Sequence, residues 1–433
     1  MHILRGLLGP YRRLLRHPGA WQFSAAALLA RLPLSMTGLG IVLLVSAIQG
    51  GYLLAGVLTA AYAFAAAIVS PIGARYVDRW GQFRVVRVLL LVHVASLVSF
   101  IIGVLLGLPV AALIAFAIGA GAAQPASGSL VRARWAHAVG GTPSLRVAFA
   151  WESVLDEVIF VIGPPLAALL ALFIAPAAPL IAAALLVSGG GIWLISHRRS
   201  EPPAHHIRQR GPSLVRNPLI VSVTLMMVFL GGLFGSLEIV TVAAAAEVGS
   251  PAYAGLILSV YAAGSLVSGV VFGGRTESTR SPQRQLLLWA IALAAVTAPF
   301  PLVNGIAAWT LVAFLAGLAV APVLILANSI VQQGIPARRL TEGLAWINTT
   351  GLGLGVALSA AASGALVDTF GSRAGYCLTA GSAIATMLIA LLTYRRLHAH
   401  LQRDSSTDSA VDDAPQNAEV PPRSHERTGE TSG

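Results

Sequence analysis

Four charged side chains sit where charge is costly. Glu152, Asp156 and Glu157 fall inside one long apolar run, and Arg31 falls inside another. A charge near mid-bilayer costs about 2.5–3.5 kcal/mol on insertion scales, so each needs a compensating partner or a task. Two kinds of chemistry are open. A carboxylate and a guanidinium can pair and orient the helices that carry them. Alternatively, a partly desolvated carboxyl can take up and release a proton, a tendency that a nearby arginine opposes. Three acids against one arginine leave at least one carboxyl without an intramembrane cation, the state that proton carriage requires. Glu238, in a later run, is a further candidate for binding protons or attracting cations; a simple outer-edge residue is the competing view. Gln124, Asn328, Asn348, Thr349 and Thr350 are polar groups in apolar surroundings. They can line a cavity or hydrogen-bond between helices.

Other chemistries find no support. No nucleophile–base constellation has loop space to house it, so an enzyme is not expected. Cys377 is alone, which excludes a disulfide framework and a Cys-based metal site. His205 and His206 have no further ligands beside them, and neither a metal nor a cofactor is expected. The Gly351-x-Gly353-x-Gly355 run follows no strand, so helix packing explains it better than nucleotide binding.

These residues must be positioned by helices that cross a membrane. Hydrophobic residues make up 56% of the 433, charged ones only 10%, and mean hydropathy is +0.78. Twelve apolar stretches can be read: 22–46, 51–73, 88–106, 109–131, 147–173, 177–196, 218–243, 252–273, 286–304, 307–331, 343–367 and 374–394. Each is long enough to cross a bilayer core as a helix, which takes roughly 20 residues. The chain holds 28 basic residues, all arginine, and 26 of them lie before span 1, after span 12 or in every second gap. Only Arg373 lies in an opposite gap, and only Arg31 inside a span. Short basic loops stay cytoplasmic, so both termini are expected in the cytoplasm of a multi-pass cell-membrane protein. The net charge of +11 then reflects topology and anionic lipid, not nucleic acid.

The two halves of the chain resemble each other. Ala55-Gly56 and Tyr62-Ala63 recur as Ala254-Gly255 and Tyr261-Ala262, and Ala150-Trp151 recurs as Ala345-Trp346. Gln124-Pro125 matches Ala321-Pro322 at nearly the same offset. Such ordered matches indicate a duplicated six-span unit, the construction principle of many secondary transporters. The chain divides into a cytoplasmic segment (1–20), a first six-helix unit (21–197), a central cytoplasmic loop (198–217), a second six-helix unit (218–396) and a disordered cytoplasmic tail (397–433).

Between spans 2 and 3 stands Ala74-Arg75-Tyr76-Val77-Asp78-Arg79-Trp80-Gly81-Gln82-Phe83-Arg84. With the twelve spans and the duplication, this loop resembles the signature of the major facilitator superfamily, a small residue followed by Asp-Arg-x-Gly and basic residues. Ala74 replaces the usual glycine, and Gln82 stands where a basic residue is usual. The resemblance implies an all-α fold of twelve transmembrane helices in two pseudo-symmetric six-helix bundles. It implies a cytoplasmic gating role for Asp78, Arg79, Gly81 and Arg84. Asp78 can accept hydrogen bonds from a neighbouring helix N-terminus. Gly163-Pro164-Pro165 resembles the Gly-Pro kink element of the superfamily's antiporters, whereas the span-4 arginine of drug–proton antiporters is missing, with Ala115 in its place. Spans 1 and 5 are neighbours in that fold, and Arg31 lies level with Asp156 and Glu157, roughly 15 Å deep at 1.5 Å per residue. An Arg31–Asp156 or Arg31–Glu157 pair is therefore expected. The implied function is secondary active transport of a small-molecule substrate by alternating access, as proton-coupled efflux by a monomer surrounded by membrane lipids. A proton-coupled importer and a receptor or assembly factor of the same fold are the alternatives.

Overall fold

Long runs of alanine, leucine and valine favour helix, and glycine or proline decides where each run stops or bends. The computed structural model describes residues 12–412 apart from 140, 141, 143, 205–216, 252, 274–280, 336–342 and 345. Among the described residues there is no strand. Span 1 is two helices, Ala20–Arg31 and Thr37–Gln49, joined by the 3-10 turn Leu32–Ser35. Spans 2 and 3 are Tyr52–Trp80 and Gln82–Leu105. Span 4 is again in two pieces, Val110–Ala122 and Ser127–Val139, parted at Gln124-Pro125. Spans 5 and 6 are Ser144–Phe173 and Ala178–Ser196. In the second unit spans 7 to 10 are Pro218–Glu247, Tyr253–Gly273, Pro282–Thr297 and Ile306–Gly334. Span 11 enters through the π-helical turn Trp346–Gly351 and continues as Leu352–Phe370, and span 12 begins the helix Ser372–Asp412.

Eleven of these stretches are long and apolar enough to cross a membrane by length and composition. Pro282–Thr297 supplies the twelfth helix and is shorter, at 16 residues. The expected span 286–304 starts earlier and stops earlier, because Pro282 suits the first turn while Pro299 and Pro301 bar continuation. Large apolar side chains such as Leu91 and Leu185 are exposed, as lipid-facing positions should be.

Three other boundaries differ from the expectation. The motif stretch up to Trp80 is helical: span 2 continues through Pro71 and Gly73 and stops only at Gly81, whose φ of 87° favours glycine. Span 4 runs on to Val139, which places Arg132 and Arg134 on a helix instead of in a loop. The last helix extends to Asp412, into the expected disordered tail; no Gly or Pro interrupts the chain between Gly381 and Pro415.

Glycines let the helices touch backbone to backbone, the packing mode that membrane helices favour. A Cβ at Gly121 in span 4 would overlap the Tyr62 carbonyl of span 2. A Cβ at Gly317 in span 10 would overlap the Tyr261 carbonyl of span 8. The duplicated sequence thus produces duplicated contacts. The same device joins the halves. Gly56 approaches Ala360, Gly364 approaches Tyr52, and Gly255 lies against Pro164, Pro165 and Ala168. Spans 2 and 11 therefore form one seam and spans 5 and 8 a second.

Gly121→Val and Gly317→Val are each expected to cost about 1–3 kcal/mol through overpacking. A lower unfolding temperature in detergent, compared with Gly189→Val where no neighbour lies within 4 Å of an added Cβ, would show this. Equal temperatures for all three variants would remove the backbone contacts as a cause of stability.

Candidate functional site

The break in span 1 is where the charges gather. Pro33 leaves the helix short of an N–H donor, and side chains of the broken segment bond to nearby carbonyls. Thr37 Oγ1 donates to the Pro33 carbonyl at 2.8 Å, and Ser35 Oγ to Ile159 of span 5 at 2.9 Å. Arg31, the last residue before the break, is fully buried and donates through Nε to the Ala27 carbonyl at 3.1 Å. Its Nη2 pairs with Glu152 and its Nη1 with Asp156, the latter at 2.6 Å. Glu152 is also fully buried. Its Oε1 accepts from Ser24 Oγ and from Trp135 Nε1, both at 2.7 Å. Trp151 Nε1 donates to Ser24 Oγ at 3.1 Å.

Asp156 has a second cation. Arg132 Nη2 reaches its Oδ2 at 2.7 Å, and both side chains keep about a third of their surface open. Of the three acids set against Arg31, Glu152 and Asp156 are thus both paired. Arg31, Arg132, Glu152 and Asp156 form a neutral tetrad across spans 1, 4 and 5. Sequence reasoning missed Arg132 because it stands one residue beyond the expected end of span 4. Gly128, one turn earlier, was the local signal. A Cβ there would lie 3.2 Å from Arg132 Nη1 and 3.7 Å from Arg31 Cδ, so glycine makes room for both guanidinium side chains. The Glu157 side chain lies outside what the structure describes.

The arginine-rich end of the first half holds another network that the sequence did not announce. Gln82, buried, donates to the Leu130 carbonyl at 3.2 Å and accepts from Arg134 Nε at 2.8 Å. Arg134 Nη1 donates to the His197 carbonyl and to Ser200 Oγ at 2.9 and 2.7 Å. Glu201 Oε1 accepts the Phe83 N–H at 3.0 Å, and Arg198 lies over the Phe83 ring at 3.7 Å. Of the expected gating residues, Gly81 forms the turn between spans 2 and 3, Arg79 and Arg84 are exposed, and Arg79 lies 5.8 Å from the Trp80 ring centre. The Asp78 side chain lies outside the described set, as does Glu277 in the loop after span 8.

The remaining candidates separate. Asn348 donates to Asn328 at 2.7 Å, which ties the π-helical turn of span 11 to span 10. Gln124 is half-buried at the break in span 4. Gly163 packs so closely on Ser35 that a Cβ would overlap its hydroxyl, and Pro164 presents its carbonyl to Gly255 of span 8. The Gly-Pro element therefore touches both the span-1 break and the inter-half seam. Glu238 stands apart from the tetrad. It is half-buried in span 7, and Gly38 of span 1 is its close neighbour: a Cβ there would lie 2.8 Å from Glu238 Oε1. No hydrogen bond or ion pair joins Glu238 to another side chain among the described residues.

Solved structures share this architecture. The nucleoside transporter NupG superposes with a TM-score of 0.66 at 12% identity, covering 87% of this chain and 98% of its own. A bacterial homologue of the iron transporter ferroportin, in an inward-facing state, gives 0.64 at 15% identity, with 86% and 98% covered. The human organic anion transporter MFSD10 gives 0.58 at 18% identity, with 88% and 99% covered. No curated protein matches by sequence. The sequence profile of the Major Facilitator Superfamily matches residues 239–426. The profile thus matches the second half of the chain, and the whole chain has the major facilitator fold. The superfamily fold explains why spans 1, 4 and 5, distant in sequence, converge on one charge tetrad.

Removing one member of a buried ion pair leaves an uncompensated charge, at about 3–5 kcal/mol. Arg31→Met alone should therefore lose most folded protein in fluorescence-detected size-exclusion chromatography, whereas Arg31→Met combined with Glu152→Gln should recover much of it. A double variant no better than the single one would disprove the pairing.

Proposed function

We propose that this protein is a secondary active transporter that exports a small organic molecule in exchange for protons. The single observation carrying the proton assignment is Glu238, which lies between spans 1 and 7 without a cation or hydrogen-bond partner among the described residues. A carboxylate in such a place binds a proton or a cation, or else keeps the full cost of its charge. The tetrad supports a different role for Asp156. Two arginines already match it and Glu152, so these four residues hold spans 1, 4 and 5 as one rigid unit.

The transport path follows the seam. Superfamily members carry solute between two six-helix halves that rock about a central site. The arginine-rich end is assigned to the cytoplasm by the positive-inside rule. Breaks in spans 1 and 4 and the π-turn of span 11 supply irregular backbone, which membranes tolerate where it lines a cavity or is buried in protein. Gln124, Asn328 and Asn348 stand at or near these breaks and give the solute polar contacts. The direction rests on the Gly163-Pro164 element, which resembles that of antiporters and packs on the seam.

Ligands found by a thermal-shift screen of the purified protein provide the substrates for the test. In everted vesicles, an imposed pH gradient should drive their accumulation by the parent protein. Glu238→Gln should reduce that accumulation to the level of empty vesicles at unchanged folded yield. Gradient-driven flux that survives Glu238→Gln would refute the proton site, and accumulation only in right-side-out vesicles would reverse the direction.

A further inference from the structure

Span 2 begins without a cap of its own. Gly50 and Gly51 precede Tyr52, and neither has a side chain to accept from the first free N–H groups of the helix. The acceptor comes from the other half of the molecule. Asp368, two residues before the end of span 11, takes the Tyr52 N–H on Oδ1 at 3.0 Å and the Leu53 N–H on Oδ2 at 2.6 Å. A carboxylate at a helix N-terminus also meets the positive end of the helix dipole. No arginine pairs with Asp368 among the described residues; the described ion pairs are those of the tetrad. Arg373, nearby in sequence, donates instead to Asn304 Oδ1 at 2.8 Å. Glu247, the other acid at this end, is held by the Ser372 N–H and hydroxyl at 2.8 and 2.6 Å. Asp368 therefore has span 2 as its partner, across the halves.

The surroundings make this contact sensitive to motion of the halves. One and two turns deeper into the bundle the two helices meet backbone to backbone, because Gly364 faces the Tyr52 carbonyl and Gly56 faces that of Ala360. Separating spans 2 and 11 at this end must break both hydrogen bonds of Asp368 together. The carboxylate is exposed, so water replaces the lost N–H groups on opening and the contact can re-form.

We propose that Asp368 is a gating residue of the inter-half seam, latching the end of the bundle opposite the arginine-rich one by capping span 2 from span 11. The latch rests on the transport reading only in supposing that the halves move relative to each other. It stabilises the closed state of this end and contributes nothing once the end has opened, so its loss shifts the population toward the open state. Spans 2 and 11 run antiparallel, which puts the last turn of one beside the first turn of the other. That geometry makes a latch from a single aspartate possible.

Distances between spin labels on the two halves test this directly. The labels go on Ile174→Cys and Leu302→Cys, both highly exposed at this end and outside the seam, in a Cys377→Ala background in lipid nanodiscs without substrate. The parent should give mainly the short distance. Asp368→Ala should add or enlarge a longer-distance population, and Asp368→Asn, which keeps one carbonyl oxygen, should fall between them. Glu247→Gln, whose hydrogen bonds stay within the second half, should leave the distribution as in the parent. Superimposable distributions for the parent and both Asp368 variants would overturn the latch, as would an equal shift from Glu247→Gln. If Asp368→Ala fails to fold, Asp368→Asn decides by the same criterion. A shift in distances with no flux for any ligand would leave the latch standing and remove the transport reading instead.

Discussion

Mutual neutralisation of two arginines and two carboxylates in a low-dielectric interior is the constraint on which the first half depends. Arg31 comes from span 1, Arg132 from span 4, and Glu152 and Asp156 from span 5. Withdrawing span 1 or span 5 would leave an unmatched charge in the buried interior, while Arg132 of span 4, a third open like Asp156, completes the balance. The tryptophans serve the same end. Trp135 donates to Glu152 while its apolar body packs edge-on against Phe23, with ring centres 4.6 Å apart. A polar group and a large hydrophobic surface are thus placed in one side chain, which suits a site half inside the hydrocarbon.

Around this fixed cluster the structure is assembled by close approach of backbones. Lipid is as apolar as leucine, so helices in a bilayer gain little by burying leucine against leucine. Small residues let them gain dispersion contacts instead. Gly121 on Tyr62 and Gly317 on Tyr261 show one solution used twice, once in each repeat. The inter-half seams use the same contact along two lines, spans 2 with 11 and spans 5 with 8.

Much of this was legible in the sequence. The apolar runs, the duplicated Ala-Gly, Tyr-Ala and Ala-Trp pairs and the motif ending at Gly81 specify the architecture, and the depth of Arg31 points to span 5. The limits have physical causes. Sorting arginines by gap treats a helix end as a membrane edge, yet a helix continues as long as its residues allow. Arg132 and Arg134 were therefore assigned to a loop when both belong to span 4. The Asp368 contact joins residues 316 apart in sequence, between a side chain and backbone N–H groups that have no sequence signature. Glu201 on Phe83 is hidden for the same reason. Glu238 could be noticed as an acid in an apolar run, but its isolation could be known only from the packing of spans 1 and 7.

Glu201 has a mechanical consequence. By accepting the Phe83 N–H it pins the start of the central connection to the first half, which leaves 16 residues, 202 to 217, before span 7 begins. At roughly 3.4 Å per residue, 16 residues can span at most about 55 Å, more than a bilayer core is thick. Covalent length alone therefore does not hold the two halves together; the helix seams and their end contacts do.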